Sequence, residues 1–276
     1  MSDSFPKIIW LLWLQGWGNA PEVVRACAAS WVRLNPGWSV RFLTREHLPE
    51  LFPSSSPNAR LLELGIPPEA LSNIVRLELL ARYGGVWADA TTYCLTPLDE
   101  WLGPAVAEGF FAFDRPGPDR MLATWFLAAP PAAPVIMRWR SLAQAYWKDR
   151  TERHTYFWVN GLFTDAYKTD PEVKRIWDKT PKHAADGPLA FSPYQNRLFR
   201  PLTAGAQEIV AAPAAPMLKL THRIGRDANT FKALCRWLLR INLGPNHRRT
   251  FYRWLCNREL AASFSGPPIH SWTGRL

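Results

Sequence analysis

Cysteine is scarce in this sequence. The four among 276 residues, Cys27, Cys94, Cys235 and Cys256, form neither a C-x-x-C pair nor a zinc spacing. A disulfide scaffold and a zinc motif are therefore excluded, and free thiols in a reducing compartment are expected. Long apolar runs are also missing, for no stretch reaches the roughly 18 residues that a spanning helix needs. The N-terminal candidate, 8–14 (IIWLLWL), follows one lysine and a proline and precedes no small-x-small cleavage pattern. It reads as a buried strand and not as a signal peptide. No internal repeat is present, which argues against a solenoid. Charged residues are 20% against 47% hydrophobic, a balance that excludes a disordered chain.

A chain of this length buries roughly 75% of the surface its unfolded form exposes. It needs no disulfide or metal to fold, and one large domain, with or without an appendage, fits. The formal charge of +10 is unevenly placed: 219–276 holds eleven Lys and Arg against Asp227 and Glu259. The body is near neutral and the C-terminal fifth is cationic.

The first 43 residues read as strand, helix, strand. After 8–14 comes a turn-rich loop, Gln15-Gly16-Trp17-Gly18-Asn19, and then Pro21, suited to a first helical turn. Val23, Val24, Cys27, Trp31 and Leu34 recur at helical spacing until Asn35-Pro36-Gly37 stops them, and 38–43 (WSVRFL) alternates as a strand. This is the start of a parallel α/β sheet. The segment 49–57 reads as a loop, 69–83 as a helix closed by Gly84-Gly85, and 86–94 (VWADATTYC) as a strand. Short strands are expected at 110–113 and 125–128 and a helix at 135–147. The segment 151–216 shows no clear period. Two basic amphipathic helices are expected at 231–241 and 248–260. Of the fifteen tryptophans, Trp31, Trp139 and Trp147 fall on apolar helix faces. Core packing is also the better reading for Trp17, Trp125 and Trp158.

The informative stretch is 71–94, LSNIVRLELLARYGGVWADATTYC. Asn73 and Arg76 are three apart and share a helix face. Strand alternation would put Trp87, Asp89, Thr91 and Tyr93 on one side and Val86, Ala88, Ala90 and Thr92 on the other. A carboxylate in an apolar strand is costly unless it is paired or metal-bound. Asp89 therefore caps a turn, pairs with Arg76 or Arg82, or serves a diphosphate–cation site with Asn73 and Arg76 beside it.

FPKIIWLLWLQGW, SNIVRLELLARYGGVWADAT and LKLTHR resemble the capsular polysaccharide synthesis group of the glycosyltransferases that carry a DxD sugar-binding region, over about residues 5 to 225. The resemblance implies a GT-A-like, Rossmann-like mixed sheet flanked by helices, a nucleotide-sugar donor and a divalent cation (Mn²⁺ or Mg²⁺). Transfer would go to a saccharide or lipid-linked acceptor, with retention at the anomeric carbon. Trp13 would stack on the base, with Gly16 in the adjoining loop. Asn73 and Arg76 would contact the donor sugar, and Trp87 and Thr91 would line its site. Asp89 would touch metal, ribose or sugar, making Asp89 and Arg76 the catalytic candidates. His222, in LKLTHR, would complete the metal site with Asp89, although a surface or hydrogen-bonded role fits it equally. Two positions depart from the usual pattern: Thr91 stands where a second metal carboxylate is common, and Asn73 where many relatives have Asp.

These readings divide the chain into a catalytic domain, 1–225, and a basic helical extension, 226–276. The extension pairs Phe231, Leu234, Trp237, Leu238 and Ile241 with Lys232, Arg236 and Arg240. A solvated face explains scattered arginines, and pI ≈ 9.8 allows nucleic-acid binding, but no recognised nucleic-acid module is present. Tryptophan with arginine on amphipathic helices favours an anionic membrane surface. The expected setting is cytoplasmic, at the inner face of the cell membrane. The rival reading is a non-catalytic carbohydrate- or membrane-surface-binding protein derived from such a transferase.

Overall fold

Alternation along the first strand sets the layers of the molecule, whose computed structural model describes residues 5–191 and 215–222. β1 (Ile8–Leu12) sends Ile9 and Leu11 into one apolar core and Trp10 and Leu12 into another. All four are buried, as a strand covered on both faces requires. α1 (Glu22–Leu34) carries the chain back to β2 (Ser39–Leu43), parallel to β1, with Ile8 opposite Ser39 and Leu12 opposite Leu43. The short α2 (Leu48–Leu51) and α3 (Arg60–Glu63) lead into α4 (Pro68–Tyr83). β3 (Gly85–Ala88) then pairs in parallel with the other edge of β1.

β4 (Thr92–Cys94) and α5 (Leu98–Ala105) precede β5 (Phe111–Gly117) and β6 (Arg120–Ala129). β6 runs antiparallel to both β3 and β5, giving a five-stranded mixed sheet in the order β2-β1-β3-β6-β5. α6 (Pro134–Trp147), α7 (Trp158–Thr169) and α8 (Pro171–Lys179) follow. β7 (Met217–Lys219) pairs with β4 in a separate two-stranded sheet. The expected α/β architecture, a mixed sheet flanked by helices, is what the chain adopts.

One core lies between the sheet and α1 and α5, around Val24, Cys27, Trp31, Leu98, Val86 and Phe126. The other lies under α4, α6, α7 and α8, around Val75, Leu79, Trp87, Leu127, Trp139 and Phe163. Trp17, Trp125 and Trp158 are buried in these cores. A buried ion network ties α4 to α6: the Glu78 carboxylate, 1% exposed, accepts from Arg82 and, at 2.7 and 3.0 Å, from Arg140.

Three sequence expectations are corrected. The strand expected over 86–94 is two strands, β3 and β4, separated by a turn in which Thr92 N donates to Asp89 O at 2.8 Å. Alternation does not carry through that turn, so Trp87 and Tyr93 sit in opposite cores and not on one face. The stretch beyond 151 holds α7 and α8, the latter capped by Asp170, whose side chain accepts from Glu172 N and Val173 N. The segment 49–57 is not loop throughout, since α2 reaches Leu51. The basic helices and the boundary at 225 lie outside the described residues. No helix among the described residues is long and apolar enough to cross a membrane.

Candidate functional site

The strand order sets a switch point in the sheet. From β1 the chain turns to one side to make β2, then crosses back to make β3 on the other side. The sheet direction therefore switches between β1 and β3, and in open α/β sheets ligands bind at the carboxyl ends of strands at such a point. Trp13 and Gly16 follow β1 there, and Asp89 follows β3.

Gly84 and Gly85 set where β3 begins. Both have positive φ, 64° and 90°, which glycine adopts without the penalty of a Cβ. A Cβ on Gly84 would lie 2.5 Å from Pro131 N, and one on Gly85 would lie 2.6 Å from Ile8 O. The close approach to Ile8 lets β3 start tight against β1. Trp10 Nε1 donates to Gly84 O at 2.8 Å and fixes the helix exit. Five residues after Gly84, Asp89 N donates to Trp125 O of β6 at 2.8 Å, which holds the acidic residue where β3 ends.

Arg76 reaches Asp89 from α4. The arginine is 4% exposed; its Nη2 lies 3.1 Å from Asp89 Oδ1, and its Nη1 donates to Thr124 O at 2.7 Å. The guanidinium also stands 5.0 Å from the Trp87 ring centre, and Trp87 Nε1 donates to the same Asp89 Oδ1 at 3.0 Å. Burial pulls the Arg76 pKa down, opposed by the nearby Asp89 charge. Of the alternatives open for Asp89, pairing with Arg76 is realised; Arg82 instead binds Glu78. Asp89 keeps 26% of its side chain exposed. Arg76 is thus held in the interior with its guanidinium against Asp89.

Asn73 lies one turn earlier on α4, buried, with no side-chain hydrogen bond among the described residues. Trp13 is half-buried, its ring 5.3 Å from that of His222 in an edge-on contact. Its indole Nε1 has no hydrogen-bond partner among the described residues. Gly16, at φ 84°, closes the loop by donating its N–H to Trp13 O at 3.1 Å, with open space where a Cβ would project. The structure therefore gathers Arg76, Trp87 and Asp89 into one cluster and Trp13 with His222 into another, on neighbouring strand ends.

Sequence reasoning missed Lys219. Its ammonium lies 3.3 Å from Asp89 Oδ2 and hydrogen-bonds Thr91 Oγ1. β7 puts it there: Lys219 is in register with Thr92, and Leu220 N donates to Thr91 O at 2.8 Å. β4 is in turn held to α1, because Trp31 Nε1 donates to Thr92 O and Cys94 N to Ser30 Oγ. The signal was present as the lysine of LKLTHR, but only the cross-strand pairing assigns it.

Fold and cluster together define an α/β protein with a carboxylate held among cations at the switch point of its sheet. The chain belongs to the family of capsular polysaccharide synthesis proteins, whose sequence model matches residues 2–231. It is similar to the O-glycosyltransferase braB of Annulohypoxylon truncatum, 29% identical over 168 residues, 52% of this chain and 38% of that protein. It is also similar to the glycosyltransferase afumC of Aspergillus fumigatus, 27% identical over 173 residues, 55% and 43% of the two chains. The chain thus spans less than half the length of these relatives. Among solved structures it resembles the PaToxG glycosyltransferase, with a TM-score of 0.42 and 15% identity over 77% of this chain and 85% of that one. Another is an active-site mutant of LgtC, with a TM-score of 0.39 and 11% identity over 88% and 99%.

Proposed function

We propose that the protein is a glycosyltransferase that moves a sugar from a nucleotide-sugar donor to a saccharide or lipid-linked acceptor in capsular or surface polysaccharide assembly. Family membership and the glycosyltransferase names of the curated relatives support the reaction class. The observation that carries the reading is Asp89, fixed at the end of β3 by Arg76 and Trp87 yet partly open to solvent. A carboxylate so held accepts hydrogen bonds from donor hydroxyls in a set direction, and orientation of this kind is what glycosyl transfer needs. Trp13, at the end of the neighbouring strand β1, offers an aromatic face for the base. Retention at the anomeric carbon, implied by the family resemblance, is part of the proposal. So are the two-part division at 225, the cytoplasmic setting and contact of the basic segment with an anionic membrane.

The same resemblance implies a divalent cation on Asp89 and His222. The donor set does not fit one. Among the described residues no three His, Cys, Asp or Glu side chains gather. Asp89 Oδ1 already takes Arg76 and Trp87, and Oδ2 faces the Lys219 ammonium. A hard dication requires several oxygen ligands, usually anionic, and here one carboxylate is shared by two cationic side chains.

Thermal unfolding with a panel of nucleoside diphosphates tests the donor site, since a ligand at 100 times its Kd adds about 2.7 kcal/mol. At least one diphosphate should raise Tm. Asp89→Ala should abolish release of nucleoside diphosphate from the matching donor while the protein stays folded. If no diphosphate stabilises the chain and no donor is turned over, the transferase reading fails and the rival binding-protein reading replaces it.

A further inference from the structure

Lys219 belongs to no expected site, yet it lies between the first and third side chains of Asp89-Ala90-Thr91. We propose that its ammonium, in place of a divalent cation, neutralises the donor diphosphate, so that the site takes a nucleoside diphosphate without metal. The inference rests on the donor-binding reading above and adds the identity of the charge-neutralising group.

Position is the first argument. The carboxylate of Asp89 and the hydroxyl of Thr91 are the oxygens that would flank a bound cation, and the ammonium already bridges them. Charge is the second. One carboxylate faces two cations, Arg76 and Lys219, which leaves a net positive cluster. Such a cluster repels a dication and attracts a diphosphate. An aspartate at position 91 would cancel that excess; the threonine preserves it. Rigidity is the third. Lys219 is carried on β7, paired through β4 to α1, so its backbone is set by the fold. The side chain remains 20% exposed, open to a ligand from the solvent side.

In the transfer, the bond between the anomeric carbon and the β-phosphate oxygen breaks, and its electron pair stays on that oxygen. The acceptor hydroxyl oxygen bonds to the anomeric carbon, and its proton passes to the departing phosphate. Lys219 donates hydrogen bonds to the phosphate oxygens as charge accumulates on them.

The full chain is titrated with UDP, GDP, CDP and dTDP by calorimetry, in EDTA and in Mn²⁺, with the corresponding nucleosides as controls. Mn²⁺ binding without nucleotide is followed by electron paramagnetic resonance. The proposal expects diphosphate affinity in EDTA at least equal to that in Mn²⁺, which chelates free diphosphate, and no bound Mn²⁺ in the free protein. Lys219→Gln should lose at least about tenfold in diphosphate affinity with nucleoside affinity unchanged, a split that mere loss of folding would not give. Lys219→Arg should retain most of the binding. Lys219→Asp, which gathers carboxylates, should gain Mn²⁺ binding. Diphosphate binding that appears only with Mn²⁺, or wild-type protein that binds Mn²⁺ on its own, overturns the role of Lys219 and leaves the donor reading standing. Absence of diphosphate binding in both buffers overturns both. If Lys219→Gln does not fold, the wild-type metal comparison and Lys219→Arg decide the matter.

Discussion

Replacing Arg76 by methionine keeps an unbranched apolar stem in the buried position and removes the charged guanidinium. Four interactions go with it: the 3.1 Å pair with Asp89 Oδ1, the 2.7 Å bond to Thr124 O, the 3.4 Å bond to Ser72 Oγ, and the cation–π contact 5.0 Å from the Trp87 ring centre. Breaking one side of a buried ion pair costs about 3–5 kcal/mol. Here the cost falls at the low end, because Asp89 is 26% exposed and keeps Trp87 and Lys219 as partners. A loss of about 3 kcal/mol corresponds to a fall in Tm of roughly 6–12 °C for a chain near this size. Differential scanning calorimetry of Arg76→Met measures it. The double variant Arg76→Met, Asp89→Ala, set against the two single variants, isolates the pair: the effects should be non-additive by about 0.5–3 kcal/mol. Nucleoside diphosphate affinity should fall about tenfold or more in Arg76→Met as Asp89 loses its fixed direction. A Tm within 2 °C of wild type (about 1 kcal/mol or less), or strictly additive single effects, would show that Arg76 does not hold Asp89.

Other parts of the structure give equally direct expectations. Gly85→Ala places a Cβ 2.6 Å from Ile8 O at φ 90°, and the combined backbone strain and overpacking should cost roughly 2–5 kcal/mol by urea unfolding; a neutral result would refute the close approach of β3 to β1. Trp13→Ala should weaken nucleotide binding more than inorganic diphosphate binding, measured by calorimetry; equal losses would remove the stacking role. Burial in the α1–α5 core pushes the Cys94 thiol up to about 12 from its ordinary 9.0. The unfolded chain therefore ionises first, and the stability tied to this thiol, complete below pH 9, falls as pH rises toward 12. Thermal scans between pH 8 and about 10.5 should show a shallower decline for Cys94→Ala than for wild type, and parallel declines would contradict the burial. Anionic liposomes should float the full chain but not 1–225, and equal flotation would separate membrane contact from the basic segment.

Local signals carried much of this fold. The helical spacing of α1, the Gly84-Gly85 exit from α4 and the apolar run of β1 are set by neighbours in sequence, and they were legible. The Arg76–Asp89 pair was legible as one alternative because helix and strand are separated only by that exit. Strand alternation failed at Asp89 because a turn interrupts it, which no apolar pattern announces. α8 was missed although Asp170-Pro171 is a good capping signature; the prolines of the region masked it. Lys219 was beyond sequence reading for a different reason. Its meaning comes from a partner 128 positions away, and short antiparallel pairings of that span leave no periodicity.

The pairing of β4 with β7 also fixes when the molecule becomes competent. Everything from β1 to β6 can assemble from the first 129 residues, yet the last charged group of the cluster arrives with residues 217–219. Such distant closure is slow relative to local folding, and during synthesis it follows the emergence of most of the chain. A ribosome-bound intermediate therefore presents all five strands of the main sheet before Lys219 can reach Asp89 and Thr91.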